Sequence, residues 1–326
     1  MKRTIKILLA ICLTAALALS LIACATTEVE DELEIKISVL NGTTGFGAAK
    51  LMNDAKNGET QNKYIFTVET DASNRTAGLI NGSIDIAALP TNAAATVYNK
   101  TSGGIKIAAI NTLGVLYLVT GEGVEINSIA DLQGKTVFTP AQNPAFIFNA
   151  IISGNSLENV TVDTSYAQPA DLRAAVVSGE VEIAVLPEPM VTIAKSTNSA
   201  VKVALDLTEE WEKIYGENSL AQGCIVVRTE WAEAHPKELA DFLAEYKTSI
   251  EFTNTNAADA SAMIVDLGIF AGKAPVAQKA IPNCNIKYID GDEMAESLDK
   301  FFTELHRVAP ASVGGKVPDS AIYYKK

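Results

Sequence analysis

The sequence has few of the residues on which metal and redox sites are built. Only two histidines and four cysteines occur among its 326 residues, and none of them cluster at the spacing of a zinc or copper site. The chain also lacks a Gly-x-Ser-x-Gly elbow, a His-Glu-x-x-His sequence and a phosphate-binding Gly-Lys-Ser/Thr loop. We therefore expect no metal, no cofactor and no catalytic residues.

Basic residues are also in the minority. The chain has 26 lysines and arginines against 39 acids, a net charge of −13 that would become −16 if the three basic residues of the leader were removed. So acidic a surface argues against nucleic acid and against broad contact with anionic lipid. Hydrophobic residues make up 48% of the chain, enough for a packed core. The length predicts about two domains or one large one.

The first 24 residues have the order of an export signal. Basic residues at positions 2, 3 and 6 precede an apolar run over 7–22, and the small residue Ala23 precedes Cys24. This order resembles the lipobox of a bacterial lipoprotein, in which Cys24 would carry the lipid after residues 1–23 are removed. Residues 24–33 would then be an acidic tether. The alternative is an ordinary signal peptide, with Cys24 incidental.

Beyond the tether, strands are predicted to alternate with helices. Most predicted strands are apolar throughout, which is typical of parallel sheets covered on both faces. The last third is mostly helical, with helices predicted over 236–252, 257–267, 276–281 and 293–308. The pattern predicts an α/β fold.

One segment occurs twice in similar form. Residues 82–90 (GSIDIAALP) match residues 179–187 (GEVEIAVLP) at an offset of 97 residues. Each copy predicts a buried strand that ends at proline and is followed by a helix. Ligands of open α/β sheets bind at this edge, where helix N-termini offer free N–H groups. Two copies therefore predict two similar α/β domains that face each other across a cleft.

These features together resemble one protein family. The chain is similar to substrate-binding lipoproteins of ABC importers, in the nitrate/sulfonate/taurine/thiamine-pyrimidine group. The features that carry this resemblance are the lipoprotein-like leader, the paired segments and residues 131–137 (DLQGKTV). Segments such as 42–47 (GTTGFG), 111–117 (NTLGVLY) and 186–189 (LPEP) resemble a Firmicutes-type branch of that group. The resemblance covers nearly all of the mature chain.

The resemblance implies a two-lobed type II periplasmic-binding fold, in which each lobe is a mixed, mostly parallel sheet flanked by helices. Lobe 1 would hold residues 34–121 plus 222–326, and lobe 2 residues 122–221. Glycines such as Gly121 and Gly223 would serve the hinge between them. The expected protein is monomeric and extracytoplasmic, touches the membrane only through its lipid, and passes a small-molecule ligand to a permease with its ATPase.

Polar residues that follow the predicted strands are the candidate ligand contacts. They are Thr43, Thr44, Phe46, Thr91, Asn92, Asn111 and Thr112 in lobe 1, Thr139, Gln142, Asn143 and Glu188 in lobe 2, and Gln222 at the return crossing. Glu188 would either bind a donor or cation of the ligand or cap the helix that begins there. Because no Arg or Lys falls in these loops, the ligand is expected to be uncharged or to carry an amine.

Two further questions stay open at this point. Cys224 and Cys284 could form a disulfide or remain two buried free thiols. The chain could also serve a membrane sensor without transport, or be an exported enzyme that uses paired carboxylates. Permease and ATPase genes beside its own gene would indicate transport, and turnover of a ligand would indicate an enzyme.

Overall fold

The computed structural model describes residues 33–325 except Asp71, and it does not describe the side chains of Ala72 and Ser73. The predicted signal peptide and the lipidation site at Cys24 lie outside the described residues, as does most of the tether. Within the described part of the chain, no helix has the length and apolar character needed to cross a membrane.

The strands and helices alternate over most of the described chain. The strands are β1 (Glu34–Leu40), β2 (Lys63–Glu69), β3 (Ile86–Pro90), β4 (Ile105–Thr112), β5 (Leu116–Thr120), β6 (Thr136–Phe138), β7 (Thr161–Asp163), β8 (Ile183–Pro187), β9 (Lys202–Asp206), β10 (Gly223–Arg228) and β11 (Ile286–Ile289). The α-helices are α1 (Thr43–Phe46), α2 (Ala49–Asn57), α3 (Ala72–Asn81), α4 (Thr91–Thr101), α5 (Asn143–Gly154), α6 (Pro169–Ser178), α7 (Met190–Thr197), α8 (Leu207–Tyr215), α9 (Thr229–Ala234), α10 (Pro236–Thr255), α11 (Ala257–Asp266), α12 (Ala274–Ala280) and α13 (Gly291–Val308). Short 3₁₀ turns lie at Ile129–Leu132, Ile281–Asn283, Pro310–Val313 and Ser320–Ile322.

The strands form two sheets. The six-stranded sheet has the order β11-β4-β10-β3-β1-β2, and the five-stranded sheet has the order β7-β6-β8-β5-β9. Helices flank both sheets, so the predicted α/β architecture with two sheets is confirmed. The twin segments of the sequence end in β3 and β8. Each of these strands lies inside its sheet and leads into a helix, α4 or α7.

The sheets contain less parallel pairing than expected. β1 is parallel to β2 and β3, and β6 is parallel to β7 and β8. β10 is antiparallel to both of its neighbours, and so is β5. Each of these two strands enters its sheet directly after the chain has crossed from the other half. β11 is antiparallel to β4 as well. The expected mixed sheets are therefore confirmed, whereas the expected majority of parallel pairs is wrong.

The first crossing lies earlier in the chain than predicted. β5 falls within the predicted lobe 1 (34–121), yet it pairs with β8 and β9 of the five-stranded sheet. The chain therefore passes from one sheet to the other at residues 113–115. Gly121 follows β5 and donates its N–H to the carbonyl of Glu182 in the five-stranded half. The lobe boundaries as a whole remain a prediction.

Apolar side chains cover both faces of the six-stranded sheet. Along β3, Ile86 and Ala88 point into one hydrophobic cluster, while Ala87 and Leu89 point into another. This second cluster continues to Leu118 of the five-stranded sheet, so the two halves share part of one core. Burial on both faces explains why the strands read as unbroken apolar runs.

The two cysteines of the fold are free and buried, so the alternative with a disulfide is not realised. Cys224 belongs to the cluster on one face of the six-stranded sheet, and Cys284 belongs to the cluster on the other. The thiol of Cys284 donates to the carbonyl of Ala280 at 3.1 Å. The sheet between the two clusters keeps the thiols apart.

A substitution at the first crossing tests how tightly it is packed. A methyl group at Gly114 would lie 2.2 Å from Oγ1 of Thr208 and 2.6 Å from Cδ2 of Leu220. Overpacking of this kind costs about 1–3 kcal/mol. We expect Gly114→Ala to lower the free energy of unfolding, measured with urea, by that amount.

The matched control is Gly121→Ala, in the turn after β5. Its added methyl group would lie 3.6 Å from Cα of Glu182, which is ordinary contact, so we expect a change of about 0.5 kcal/mol or less. Equal unfolding midpoints for the two variants would contradict tight packing around the crossing at 113–115.

Candidate ligand-binding cleft

Polar residues collect at one edge of the six-stranded sheet. β1, β3, β10 and β4 are successive neighbours in the sheet, and the predicted residues follow β1 and β3, end β4 and precede β10. The backbone N–H of Thr91 bonds to the carbonyl of Gln222, and that of Gln222 bonds to the carbonyl of Thr112, both at 3.1 Å. The edge thus carries Thr43, Thr44, Thr91, Asn92, Asn111, Thr112 and Gln222.

The five-stranded sheet has a corresponding edge. β6 and β8 are parallel neighbours, and they are followed by Thr139 and Glu188. Gln142 and Asn143 lie where α5 begins, three and four residues after Thr139. The predicted residues of the second half therefore lie at the carboxyl ends of neighbouring strands, where open α/β sheets bind ligands.

A pocket of about 530 Å³, here called the cleft, joins the two edges. Residues 40–44 supply one wall and residues 187–190 supply the opposite wall. Arg173, Ile193 and the loop 270–272 complete the lining, together with Pro169. The volume is in the usual range for a small-molecule site, about 300–1,000 Å³.

Three of the twelve predicted residues line the cleft: Thr43, Thr44 and Glu188. The other nine lie outside its lining: Phe46, Thr91, Asn92, Asn111, Thr112, Thr139, Gln142, Asn143 and Gln222. Contact between any of the twelve and a ligand remains a prediction.

Several of the nine support the cleft from behind. Phe46 is fully buried and packs edge-to-face on Phe270, a lining residue, with ring centroids 6.1 Å apart. The side-chain amide of Asn111 donates to the carbonyl of Thr44 at 3.0 Å and so fixes the loop that carries this lining residue. Oε1 of Gln222 accepts a hydrogen bond from the backbone N–H of Val115 at 2.7 Å. These contacts position the walls.

Others of the nine are held by contacts within their own half. The amide of Asn92 donates to the carbonyl of Ser312 at 3.5 Å, and the hydroxyl of Thr139 donates to the carbonyl of Pro140 at 3.1 Å. Four buried polar atoms at the first edge have no hydrogen-bond partner among the described residues: Oγ1 of Thr91, Oδ1 of Asn92, Oδ1 of Asn111 and Oγ1 of Thr112. Because buried polar atoms are nearly always paired, they are the remaining candidates for ligand contact at this edge.

Glu188 is held in place at the start of α7. Its side chain is 4% exposed, and the residue joins Pro189 through a cis peptide bond. The carboxylate accepts hydrogen bonds from the N–H and the hydroxyl of Thr192, at 3.1 and 3.0 Å, and from the amide of Asn283 at 3.3 Å. Burial raises the pKa of Glu188, while these hydrogen bonds oppose the rise. The side chain therefore meets the helix N-terminus and also forms part of the cleft wall.

Arg173 supplies the cation that the sequence interpretation did not find. It lies on α6, is half-buried, and lines the cleft. Among the described residues it takes part in no hydrogen bond or ion pair. The contacts predicted from the sequence lie in or beside loops that follow strands, whereas Arg173 lies inside a helix. The expectation of an uncharged or amine ligand, which rested on the lack of a nearby cation, therefore loses its basis.

Within residues 33–325, Asp71 apart, no group of three or more His, Cys, Asp or Glu side chains is placed to hold a metal ion.

Solved structures share the architecture of the chain. An ABC transporter structure from Parabacteroides distasonis matches with a TM-score of 0.76 and 23% identity, over 90% of this chain and 99% of that one. The periplasmic aliphatic sulphonate binding protein SsuA from Escherichia coli matches with a TM-score of 0.69 and 16% identity, over 90% and 92%. The alkanesulfonate-binding protein SsuA from Xanthomonas axonopodis pv. citri, bound to MOPS, matches with a TM-score of 0.60 and 12% identity, over 88% and 94%. At these identities the likeness defines the fold, which is that of periplasmic binding proteins.

The sequence itself defines the family. Residues 66–260, more than half of the chain, match the NMT1/THI5-like family, and the chain belongs to it. The predicted resemblance is thus confirmed at the level of family and fold, whereas the Firmicutes-type branch stays a prediction. A comparison with curated proteins finds no match.

The buried carboxyl of Glu188 predicts a pH-dependent stability. Its pKa is raised from 4.5 by burial, so the fold prefers the protonated form. The stability contributed by this group is present below the unfolded pKa and is lost as the pH rises through the folded one. As the pH rises from below the unfolded pKa through the raised folded pKa, we expect the free energy of unfolding of the wild type to fall relative to that of Glu188→Gln.

Urea unfolding of both proteins at several pH values measures this difference. Glu182→Gln, which removes an exposed carboxyl from the same half, controls for the loss of one negative charge. A difference between wild type and Glu188→Gln that does not change with pH would contradict the buried environment of the carboxyl.

Proposed function

We propose that the chain is the extracytoplasmic substrate-binding component of an ABC importer. It would take up a small organic solute between two lobes, each built on one sheet, and deliver it to a membrane permease. The observation that carries the proposal is the cleft, because its walls come from the ligand-binding edges of two different sheets. A site built in this way can open and close when the sheets move relative to each other.

The charge in the cleft favours an anionic ligand. Arg173 is the cation of its lining, and Thr43 and Thr44 line the same pocket with hydroxyl groups that are able to donate further hydrogen bonds. The one acid of the lining, Glu188, already accepts three hydrogen bonds. Two similar structures are described as sulfonate-binding proteins, which supports a ligand with a planar or tetrahedral oxyanion group. We therefore propose a small sulfonate or carboxylate.

The lining of the cleft also includes apolar side chains, which suit an apolar part of the ligand. Phe270, Met190 and Ile193 line the same cleft as Arg173. Phe270 is fixed by Phe46 behind it. An arginine at one side and an apolar surface at the other suit an organic anion with a short carbon chain or ring better than they suit nitrate.

The proposal predicts ligand-dependent stabilisation without turnover. The chain from residue 25 onward would be screened by thermal shift against alkanesulfonates, carboxylates, amines, aminopyrimidines and nitrate. At about a hundred times its dissociation constant, a ligand adds about 2.7 kcal/mol of stability. We expect the anions to raise the melting temperature, and mass spectrometry to recover them unchanged. Conversion of a ligand would favour the exported enzyme instead.

Replacing Arg173 tests its proposed role in the cleft. We expect Arg173→Met to weaken binding of the best anion about 10- to 100-fold, since a charge-assisted hydrogen bond contributes about 1.5–3 kcal/mol. Isothermal titration calorimetry would measure the dissociation constant. Lys202→Gln, an exposed cation of the same half outside the cleft, controls for net charge. Equal affinities for Arg173→Met and wild type would remove Arg173 from the site.

The proposed extracytoplasmic, lipid-anchored location rests on the export signal. We expect Cys24→Ala to move the protein from the membrane fraction to the soluble extracytoplasmic fraction, because the thiol that would receive the lipid is gone. Cell fractionation followed by immunoblotting measures this, with Cys224→Ser as the control that leaves the leader intact. Retention of Cys24→Ala in the membrane fraction would contradict the lipoprotein proposal.

A further inference from the structure

A second pocket lies behind the wall of the cleft. It has a volume of about 520 Å³ and is here called the lysine pocket. Helix α7 separates the two pockets, because Met190 and Ile193 line the cleft while Val191, Thr192 and Lys195 line the lysine pocket. Glu188, just before α7, lines both.

Both halves of the molecule contribute to the lysine pocket. Lys195 lies on α7, whose buried residues Val191 and Ala194 pack with the five-stranded sheet. Lys279 lies on α12, which packs against the six-stranded sheet. A hydrogen bond between two lining residues crosses the seam where the two halves meet: the hydroxyl of Tyr117 donates to the carbonyl of Asn283 at 2.8 Å.

The two lysines give the pocket a local positive charge. Among the described residues, neither Lys195 nor Lys279 forms a hydrogen bond or a close ion pair, although Lys195 is near enough to the carboxyl of Glu188 to lower its pKa. The acid of the lining is Glu188, whose carboxylate is already bonded to Thr192 and Asn283. With two lysines and one acid, the lining of this pocket carries more positive than negative groups, in a chain whose net charge is −13. Such a site attracts anions in spite of the net charge.

The remaining lining fits an organic anion better than a bare ion. Ser196 and Thr192 add hydroxyl groups to the ammonium donors, while Val191, Val203 and the ring of Tyr117 form an apolar surface. The volume is large enough for a molecule of several carbon atoms. A ligand with two negative groups could reach both lysines at once.

We propose that the lysine pocket is a second ligand site, which binds a small organic dianion such as a dicarboxylate or a phosphate ester. The anion bridges Lys195 and Lys279, and therefore joins the two halves on the side of α7 away from the cleft. Because each lysine belongs to a different half, binding favours the arrangement of the halves described here. This inference does not depend on which ligand occupies the cleft.

Calorimetric titration of the chain from residue 25 onward with succinate, citrate and glycerol phosphate, at low ionic strength, tests the proposal. We expect at least one of the three to bind, and the double variant Lys195→Gln/Lys279→Gln to bind it roughly tenfold more weakly, since each exposed ionic contact contributes a factor of a few. The affinity should also fall as salt is added.

Two control proteins separate this site from other effects. Lys202→Gln/Lys273→Gln removes one exposed lysine from each half outside both pockets, and it should bind as the wild type does. Arg173→Met disables the proposed cleft site, which could itself take a carboxylate, and it should keep the binding that the Lys195→Gln/Lys279→Gln variant loses. Loss of binding in Arg173→Met but not in the Lys195/Lys279 variant would place the dianion in the cleft and overturn the proposal. Failure of all three probes to bind would overturn it as well.

Discussion

The rest of the structure depends on how the chain passes between the two sheets. It crosses at residues 113–115 and returns just before Gly223, and each crossing delivers a strand into the interior of the sheet that it enters. The two crossings are tied together, because Oε1 of Gln222 accepts a hydrogen bond from the N–H of Val115. The relative position of the two strand edges, and with it the shape of the cleft, follows from this connection.

Helix α7 is a short element that lines the cleft with one face and the lysine pocket with another. Its first turn is anchored by Glu188, whose hydrogen bonds reach Thr192 on the helix and Asn283 on the other half. A movement of either half would change at least one of these bonds. Glu188 therefore links the wall of the cleft, the wall of the lysine pocket and the seam between the halves.

The sequence was a good guide where local pattern decides the structure. Apolar strands that end at proline predicted β3 and β8, and the polar residues after the strands predicted where the two edges lie. It was a poor guide where the structure depends on contacts between residues that are distant in sequence. A strand buried on both faces has the same apolar pattern in a parallel or an antiparallel pair, so neither the share of antiparallel pairing nor the placement of β5 could be predicted from the chain. The half-exposed edge strand β9 and the short β11 gave no clear pattern.

The individual cleft residues show the same limit. Phe46 follows a strand in the manner of a ligand contact, yet it packs on Phe270, which lies 224 residues further along the chain. Arg173 was not predicted, because which side chains of α6 face the cleft depends on how the helix packs. Thr43, Thr44 and Glu188 could be predicted as residues of the cleft wall because each lies within four residues of the end of a strand at the edge.

The strand order also fixes the order in which the halves can be completed during synthesis. Every strand of the five-stranded sheet lies between residues 116 and 206. In the six-stranded sheet, β3 and β4 are joined only through β10, which ends at Arg228. A growing chain that has reached residue 206 thus holds all the strands of one sheet but lacks the central strand of the other. The six-stranded sheet, whose first strand is synthesised first, is therefore the last of the two sheets to have all its strands.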